Sequence, residues 1–124
     1  MVGIGREPVW AGPSRGDIHL ANLVDVGGHV IRGPHPVVVV QSDRLRRSST
    51  VAIVPMTSSA RAAAFDLPFL VAVGARESGL NRDGWAKCDQ PMTLPLDRLG
   101  PRAGRLNPET MERLDAALRF VLAL

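Results

Sequence analysis

Cysteine, lysine, tyrosine and long apolar runs are scarce or absent in this chain of 124 residues, and each absence excludes a class of protein. Cys88 is the single cysteine, so neither an internal disulfide nor a cysteine-based zinc site can form. No apolar run approaches the roughly 20 residues that cross a bilayer as a helix. The first residues include Glu7 and several prolines and glycines, and they lack the apolar region of a signal peptide. We therefore expect a cytoplasmic protein.

Aromatic side chains make up only 4% of the sequence. If the protein binds nucleic acid, we expect recognition through arginines and hydrogen bonds more than through base stacking. Lys87 is the only lysine, so the net charge of +3 and the pI near 10.4 come from arginine. Arginine pairs bidentately with phosphate, which suits a nucleic-acid partner, but a GC-rich genome produces the same bias.

The remaining composition is that of one globular domain. Hydrophobic residues make up 45% and charged residues 22% of the chain, and its length is enough for one modest core. Prolines and glycines in residues 1–14 predict an extended N-terminal tail, with Trp10 available to dock it. The domain proper is predicted over residues 15–124.

Two short valine-rich runs lie at the centre of the sequence. Val37–Val40 and Val51–Pro55 are too short for helices and rich in β-branched residues, which predicts two adjacent buried strands. His35 precedes the first run, and Thr57 and Ser58 follow the second. If the strands pair antiparallel, the start of one lies beside the end of the other. His35 and Thr57 then face the same end of the sheet, which is the candidate site.

Further strands and loops are predicted around this pair. Alternating apolar residues predict strands over Asp17–Val24, Leu67–Val73, Gly84–Asp89 and Pro91–Leu96. Glycine, proline and small residues predict loops, turns or breaks at Asp25–Pro34, Ser58–Ala64, Gly74–Asn81 and Leu99–Gly104. A short helical turn capped by Gln41–Asp43 is predicted after the first valine run. In the first strand, His19 is predicted on the exposed face.

The last segment predicts the longest helix. Asn107 is a good N-cap, Pro108 suits the first helical position, and Glu109 complements the helix dipole. An apolar face at helical spacing follows, made of Met111, Leu114, Leu118, Val121 and Leu122. This face is expected to pack on the sheet or on another subunit, and Asp115 and Arg119 are spaced for an ion pair.

Several of these segments, in this order, resemble the MazF/PemK toxin endoribonucleases of bacterial toxin–antitoxin systems. The resemblance rests on Gly16-Asp17-Ile18-His19, Gly27-Gly28-His29, His35-Pro36-Val37-Val38-Val39, Val54-Pro55-Met56-Thr57-Ser58, Asp89-Gln90 and Leu106-Asn107-Pro108-Glu109-Thr110-Met111. It covers nearly everything from Gly16 to Leu124. It implies an α+β, mainly β fold: a small SH3-like antiparallel barrel of the MazF/CcdB type with a C-terminal helix.

The resemblance also implies an activity, which is sequence-specific cleavage of single-stranded RNA that stops translation and growth. In the family the 2′-hydroxyl is the nucleophile, no metal or other cofactor takes part, and the ends are a 2′,3′-cyclic phosphate and a 5′-hydroxyl. Its members are homodimers, and a cognate antitoxin with an acidic, flexible tail occupies the RNA groove. The histidines of this chain also lack the spacing of a helical metal site.

Two positions depart from the family pattern. His35 stands where the family usually has arginine, and Val30 stands where many members have glutamate, whereas Thr57 is retained. We assign catalysis to His35, because histidine transfers protons near neutral pH, to Thr57 as a donor to the phosphate, and to Arg32 as a nearby cation. The residues assigned to RNA binding are His19, His29, Gln41, Arg44, Arg46, Arg47, Ser58, Asp89 and Gln90.

Structural roles and other functions stay open at this point. His35 is also explained as a loop residue fixed by prolines, and Thr57 as a hydroxyl bonded to a turn. Toxins that poison DNA gyrase use the same barrel but end in a Trp-Gly-Ile-like tail, which Val121-Leu122-Ala123-Leu124 does not match. An RNA-binding relative that has lost turnover with the arginine is the other alternative.

Overall fold

The computed structural model describes residues 12–64 and 66–124, so residues 1–11 of the predicted tail, with Trp10, lie outside it. The strands are β1 (Asp17–Leu23), β2 (Gly33–Val39), β3 (Thr50–Thr57), β4 (Leu70–Val73), β5 (Gly84–Lys87), β6 (Met92–Pro95) and β7 (Leu99–Arg105). The helices are α1 (Ala60–Ala63), α2 (Ala75–Ser78) and α3 (Pro108–Leu122), and 3₁₀ turns cover Asp43–Leu45 and Leu96–Arg98. None of the helices among the described residues has the length and apolar content to cross a membrane.

All strand pairings are antiparallel, in the order β4-β5-β3-β2-β1-β7, with β6 added to β3. The start of β3, Thr50–Ile53, pairs with β6, whereas its end, Met56 and Thr57, pairs with β5. The predicted mainly β antiparallel fold with a C-terminal helix is confirmed. The pairings of the described residues end at β4 and β7 and do not themselves close the predicted barrel.

The central strands separate two apolar clusters. One cluster lies beneath α3 and contains, among others, Ile18, Val38, Val54, Met56 and Leu114. The other lies on the opposite face of β2 and contains Val37, Val39, Val51, Ile53 and Leu94, among others. Successive side chains of a strand point to opposite faces, so the continuous valine runs bury both faces of β2 and β3.

The N-terminus of α3 is fixed by two caps. The side chain of Asn107 accepts a hydrogen bond from the Thr110 N–H at 2.8 Å, as the sequence predicts. Glu77 of α2 accepts from the Asn107 N–H at 2.5 Å and from the Thr110 hydroxyl at 3.0 Å.

On the predicted apolar face of α3, Leu114 is fully buried. Asp115 forms an ion pair with Arg15 at 2.6 Å. This carboxylate therefore connects α3 to the start of the domain, whereas the sequence predicts a pair with Arg119 along the helix.

Four sequence predictions are wrong, three about elements and one about the exposure of a side chain. Leu99–Gly104 does not break the chain but lies in β7, where Gly100 and Gly104 permit close backbone contacts with Leu20 and Ser78. The predicted loops after β3 and β4 contain the short helices α1 and α2. His19 is 3% exposed, because β7 pairs beside it and brings the Gly100 carbonyl oxygen within 2.9 Å of its Nδ1.

Candidate functional site

His35 and Thr57 lie side by side, as the antiparallel prediction requires. Val37 faces Pro55 across the β2–β3 ladder, so the same register places His35 opposite Thr57. Both residues line one cleft of about 430 Å³, which we call the first cleft. The structure therefore brings together these two predicted catalytic residues at one end of the sheet.

The turn before β5 forms the opposite wall of the first cleft and includes Leu80, Asn81, Arg82 and Asp83. Pairing of Thr57 with Trp85 brings this turn to the end of β3. Gly84 allows the close approach, because a Cβ atom there would lie 3.0 Å from the Thr57 carbonyl oxygen. Asp83 accepts a hydrogen bond from the Ala75 N–H at 2.9 Å and so caps α2.

Arg82 is the cation of the first cleft. Its side chain is exposed, lines the cleft with His35 and Thr57, and forms no ion pair with any described residue. The guanidinium is therefore available to an anionic ligand. Sequence reasoning missed Arg82, because only the non-local pairing of β3 with β5 brings its turn beside Thr57. Within the sequence, Arg82-Asp83-Gly84 has the composition of an ordinary turn.

The side-chain hydroxyl of Thr57 accepts one hydrogen bond and can still donate one. Thr57 Oγ1 accepts from the Ser59 N–H at 3.1 Å. A hydroxyl has one hydrogen and two lone pairs, and none of residues 12–64 and 66–124 accepts this hydrogen, so it stays available for a ligand in the cleft. The structural role expected of this hydroxyl is therefore present and leaves its donor capacity intact. Ser58 is exposed and lines the same cleft.

His35 is half-buried between Pro34 and Pro36, in a position fixed by the backbone of β2. Its Nδ1 lies 3.4 Å from the Gly33 carbonyl oxygen, to which it can donate in the tautomer that carries hydrogen on Nδ1. The lone pair of the neutral ring is then on Nε2. This arrangement gives the first cleft a group able to accept a proton.

A smaller second cleft, of about 240 Å³, adjoins the first and shares Thr57 and Ser59 with it. Its other lining residues include Arg61, Leu67, Phe69, Leu70, Lys87 and Asp89. Thr57 thus stands between two concave surfaces, one with Arg82 and the other with Lys87. The two clefts therefore meet at Thr57 and Ser59, at the end of β3.

The arginines between β2 and β3 lie at the far end of these strands. From His35 to Gln41 the strand advances six residues, a distance of roughly 20 Å at ~3.3 Å per residue. Arg44, Arg46 and Arg47, which the sequence assigns to RNA binding, therefore lie away from His35 and line neither cleft. Arg46 also pairs with Asp43 at 3.4 Å. The backbone N–H of Arg15 donates to Asp43 at 2.7 Å and lowers the pKa of that carboxyl.

The side-chain amide of Gln41 is used within the fold. Its Nε2 donates to the carbonyls of Leu45 and Thr50 at 3.1 and 3.3 Å, and its Oε1 accepts from the Ala52 N–H at 3.2 Å. These bonds order the connection between β2 and β3. The predicted role of Gln41 in RNA binding gains no support from this placement.

Gln90 anchors the loop between β1 and β2. Its Oε1 accepts from the Ile31 N–H at 2.8 Å, and its Nε2 donates to the His29 carbonyl at 3.1 Å. His29 and Arg32 are exposed on this loop, and Arg32 approaches Asp25 at 3.7 Å. Neither side chain lines the two clefts.

Cys88 is fully buried, as predicted for a small apolar residue. Burial raises the pKa of its thiol to about 12, with smaller contributions from the charges of Asp89 and Asp115. The thiol is therefore protonated and unsuited to nucleophilic chemistry at neutral pH. Among the described residues no group of three or more His, Cys, Asp or Glu side chains is arranged to bind a metal ion.

Comparison with known proteins places these observations in a family. A family described as "PemK-like, MazF-like toxin of type II toxin-antitoxin system" matches residues 14–122. Endoribonuclease EndoA of Bacillus subtilis is 36% identical over 110 residues, covering 89% of this chain and 94% of EndoA. Endoribonuclease MazF9 of Mycobacterium tuberculosis is 31% identical over 116 residues, covering 89% of this chain and 96% of MazF9.

The fold is similar to that of solved structures too. One is an endoribonuclease from mycobacterial species in complex with its cognate antitoxin, with a TM-score of 0.73 and 28% identity. The match covers 91% of this chain and 97% of that one. The likeness therefore extends over nearly the whole of both chains.

Proposed function

The chain belongs to the PemK- and MazF-like toxins of type II toxin–antitoxin systems and is an endoribonuclease, and on this basis we propose how it cleaves RNA. The substrate is single-stranded RNA, cut at a specific sequence so that translation and growth stop. Cleavage needs no metal: the 2′-hydroxyl attacks the adjacent phosphorus and the bond to the 5′-oxygen breaks. The products are a 2′,3′-cyclic phosphate and a 5′-hydroxyl.

Acid–base chemistry is assigned to His35. Nε2 of the neutral ring takes the proton of the 2′-hydroxyl as the oxygen bonds to phosphorus. The leaving 5′-oxygen needs a proton as its bond to phosphorus breaks, and the imidazolium formed in the first step supplies it. This assignment rests on one observation: His35, Thr57 and Arg82 line the same cleft.

Charge develops on the non-bridging phosphate oxygens during this displacement. Thr57 donates its free hydroxyl hydrogen to one of these oxygens, and the guanidinium of Arg82 pairs with the other. Arg82 supplies a permanent positive charge that the family's usual arginine would supply from position 35. Arg32, the cation first assigned from the sequence, lines neither cleft, so Arg82 is the stronger candidate.

The two clefts define the proposed RNA path, with Ser58 and Asp89 as further contacts. The proposed antitoxin inhibits by placing acidic residues in this groove, where Arg61, Arg82 and Lys87 attract them. We also propose that the toxin acts in the cytoplasm as a homodimer, a state that size-exclusion chromatography with light scattering measures directly.

The test is cleavage of a long single-stranded RNA with EDTA present. Wild-type protein is expected to give discrete fragments that end in cyclic phosphate. His35→Ala, Thr57→Val and Arg82→Gln are each expected to lower the rate by at least 10-fold, because each removes a group from the reacting phosphate. Matched controls are Thr93→Val on β6 and Arg76→Gln on α2, both exposed and outside the clefts.

Each result decides one part of the proposal. Wild-type protein that cuts no member of a panel of RNAs contradicts the nuclease, and retained RNA binding would then favour the non-catalytic relative. Full activity of His35→Ala removes the acid–base assignment. Normal activity of Arg82→Gln together with lost activity of Arg32→Gln returns the cationic role to the loop between β1 and β2.

A further inference from the structure

We infer that the second cleft is a base-selecting subsite that binds a guanine next to the scissile phosphate. This inference rests on the proposed function. Thr57 and Ser59 line both clefts. A strand whose phosphate contacts Thr57 in the first cleft therefore enters the second cleft with its next nucleotide. The volume of about 240 Å³ lies below the range of roughly 300–1,000 Å³ typical of larger ligands and suits a single base.

The second cleft has the two components of a single-strand binding site. Leu67, Phe69 and Leu70 supply apolar surface, and the ring of Phe69 is half-buried, which fixes its position for stacking. Arg61 and Lys87 supply positive charge for the phosphates. Lys87 is the only lysine in the chain and lies on β5, opposite Leu70 of β4.

Asp89 provides the basis for selecting the base. Its carboxylate is exposed, lines the second cleft, and makes no hydrogen bond or ion pair with the residues that the structure describes. An ionised carboxylate only accepts hydrogen bonds. A base bound beside it must therefore present N–H donors.

Guanine meets this requirement best among the four bases. Its Watson–Crick edge carries two neighbouring donors, N1–H and the N2 amino group, which match the two oxygens of a carboxylate. Adenine and cytosine each place an acceptor nitrogen beside their amino group, and uracil places carbonyl oxygens on both sides of N3–H. Each of these acceptors would be repelled by the charge of Asp89.

The first experiment sequences the cyclic-phosphate ends made from a random single-stranded RNA pool. Wild-type protein is expected to enrich guanine at one position adjoining the cut. Asp89→Asn is expected to lose this preference and to accept adenine, cytosine or uracil, because an amide presents one donor and one acceptor. Asp97→Asn, at another exposed position outside both clefts, is the matched control and is expected to retain the preference.

The second experiment measures binding without cleavage. Short oligonucleotides with 2′-O-methyl groups lack the nucleophile, so their affinity reports the subsite alone. Phe69→Leu and Lys87→Gln are each expected to weaken binding of the guanine-containing oligonucleotide by roughly 5- to 100-fold. Thermal unfolding of each variant shows whether its fold is retained.

The two proposals fail differently. A wild-type enzyme that cleaves without a guanine preference, or an unchanged preference in Asp89→Asn, overturns the subsite and leaves the nuclease intact. If wild-type protein does not cleave at all, the nuclease proposal fails. The oligonucleotide affinities then decide the subsite: equal affinity for guanine and uracil overturns it, and a preference lost in Asp89→Asn supports it.

Discussion

Residue positions in the candidate site follow from simple strand geometry where the partners are adjacent in sequence. His35 and Thr57 are predictable because the valine runs form neighbouring strands, and antiparallel pairing joins the start of one to the end of the other. Arg82 is not predictable in this way, because its approach to Thr57 depends on pairing between β3 and β5. Sequence alone therefore finds two members of the site and leaves out Arg82, which forms no ion pair with the described residues.

Cys88 gives a prediction at the same scale. Above the ordinary thiol pKa of about 8.5 the unfolded chain ionises, whereas the folded thiol stays protonated up to about pH 12. The unfolded state then binds fewer protons, so the free energy of unfolding should fall as pH rises, by at most ~1.4 kcal/mol per pH unit from this group. Denaturant titrations at pH 7.5 to 10 should show a steeper fall for wild type than for Cys88→Ala.

A reactivity measurement checks the same burial independently. Iodoacetamide at pH 8 should leave native Cys88 unmodified and should alkylate it after unfolding in guanidinium chloride. Rapid labelling of the native protein would contradict the buried, protonated state of this thiol.

At the scale of elements, capping and periodicity are predictable and close packing is not. Asn107 and Pro108 start α3 as their residue types indicate, because the local backbone alone determines what a cap needs. Gly100 and Gly104, in contrast, have the composition of a break and lie in β7. Their lack of a side chain serves contact with β1 and α2, which are distant in sequence.

Glu77 tests the connection between α2 and α3. Glu77→Ala removes the acceptor for the Asn107 N–H and for the hydroxyl of Thr110, which is 1% exposed. Loss of these two charged hydrogen bonds, of which the one from Thr110 is partly buried, should lower the free energy of unfolding by about 2 kcal/mol and the Tm by roughly 6–10 °C. Glu112→Ala, at an exposed position of α3, is the control and should change stability by less than ~0.5 kcal/mol. Equal losses in both variants would contradict the capping role.

At the scale of the whole molecule, two groups of cations lie at opposite ends of β2 and β3. The cations of the clefts lie at one end of β2 and β3, and Arg44 and Arg47 lie exposed in the connection at the other, roughly 20 Å away. Composition reports the total charge and not this separation. The arginine excess therefore suggests a nucleic-acid partner but does not indicate which surface binds it.

The salt dependence of RNA binding should reveal this division. Each phosphate neutralised in single-stranded RNA contributes ~0.7 to the slope of log K against log salt concentration. With a four-nucleotide 2′-O-methyl RNA, Arg82→Gln should reduce the slope by about 0.7, and Arg44→Gln/Arg47→Gln should leave it unchanged. With a longer RNA that reaches the far end, the double variant should lower the slope as well. A loss in the double variant with the short RNA would contradict the separation of the two ends.

Asp89 and Gln90 are consecutive residues, and they differ in how much the fold depends on each side chain. Gln90 bonds both ends of its amide to the loop between β1 and β2, so replacing it costs order in that loop. Asp89 is exposed and has no bonding partner among the described residues, so its replacement costs the fold little. A substitution of Asp89 is therefore expected to change the proposed base preference while Gln90 keeps the loop between β1 and β2 in place. A single peptide bond thus joins a side chain on which the fold does not depend to one that holds a loop in place.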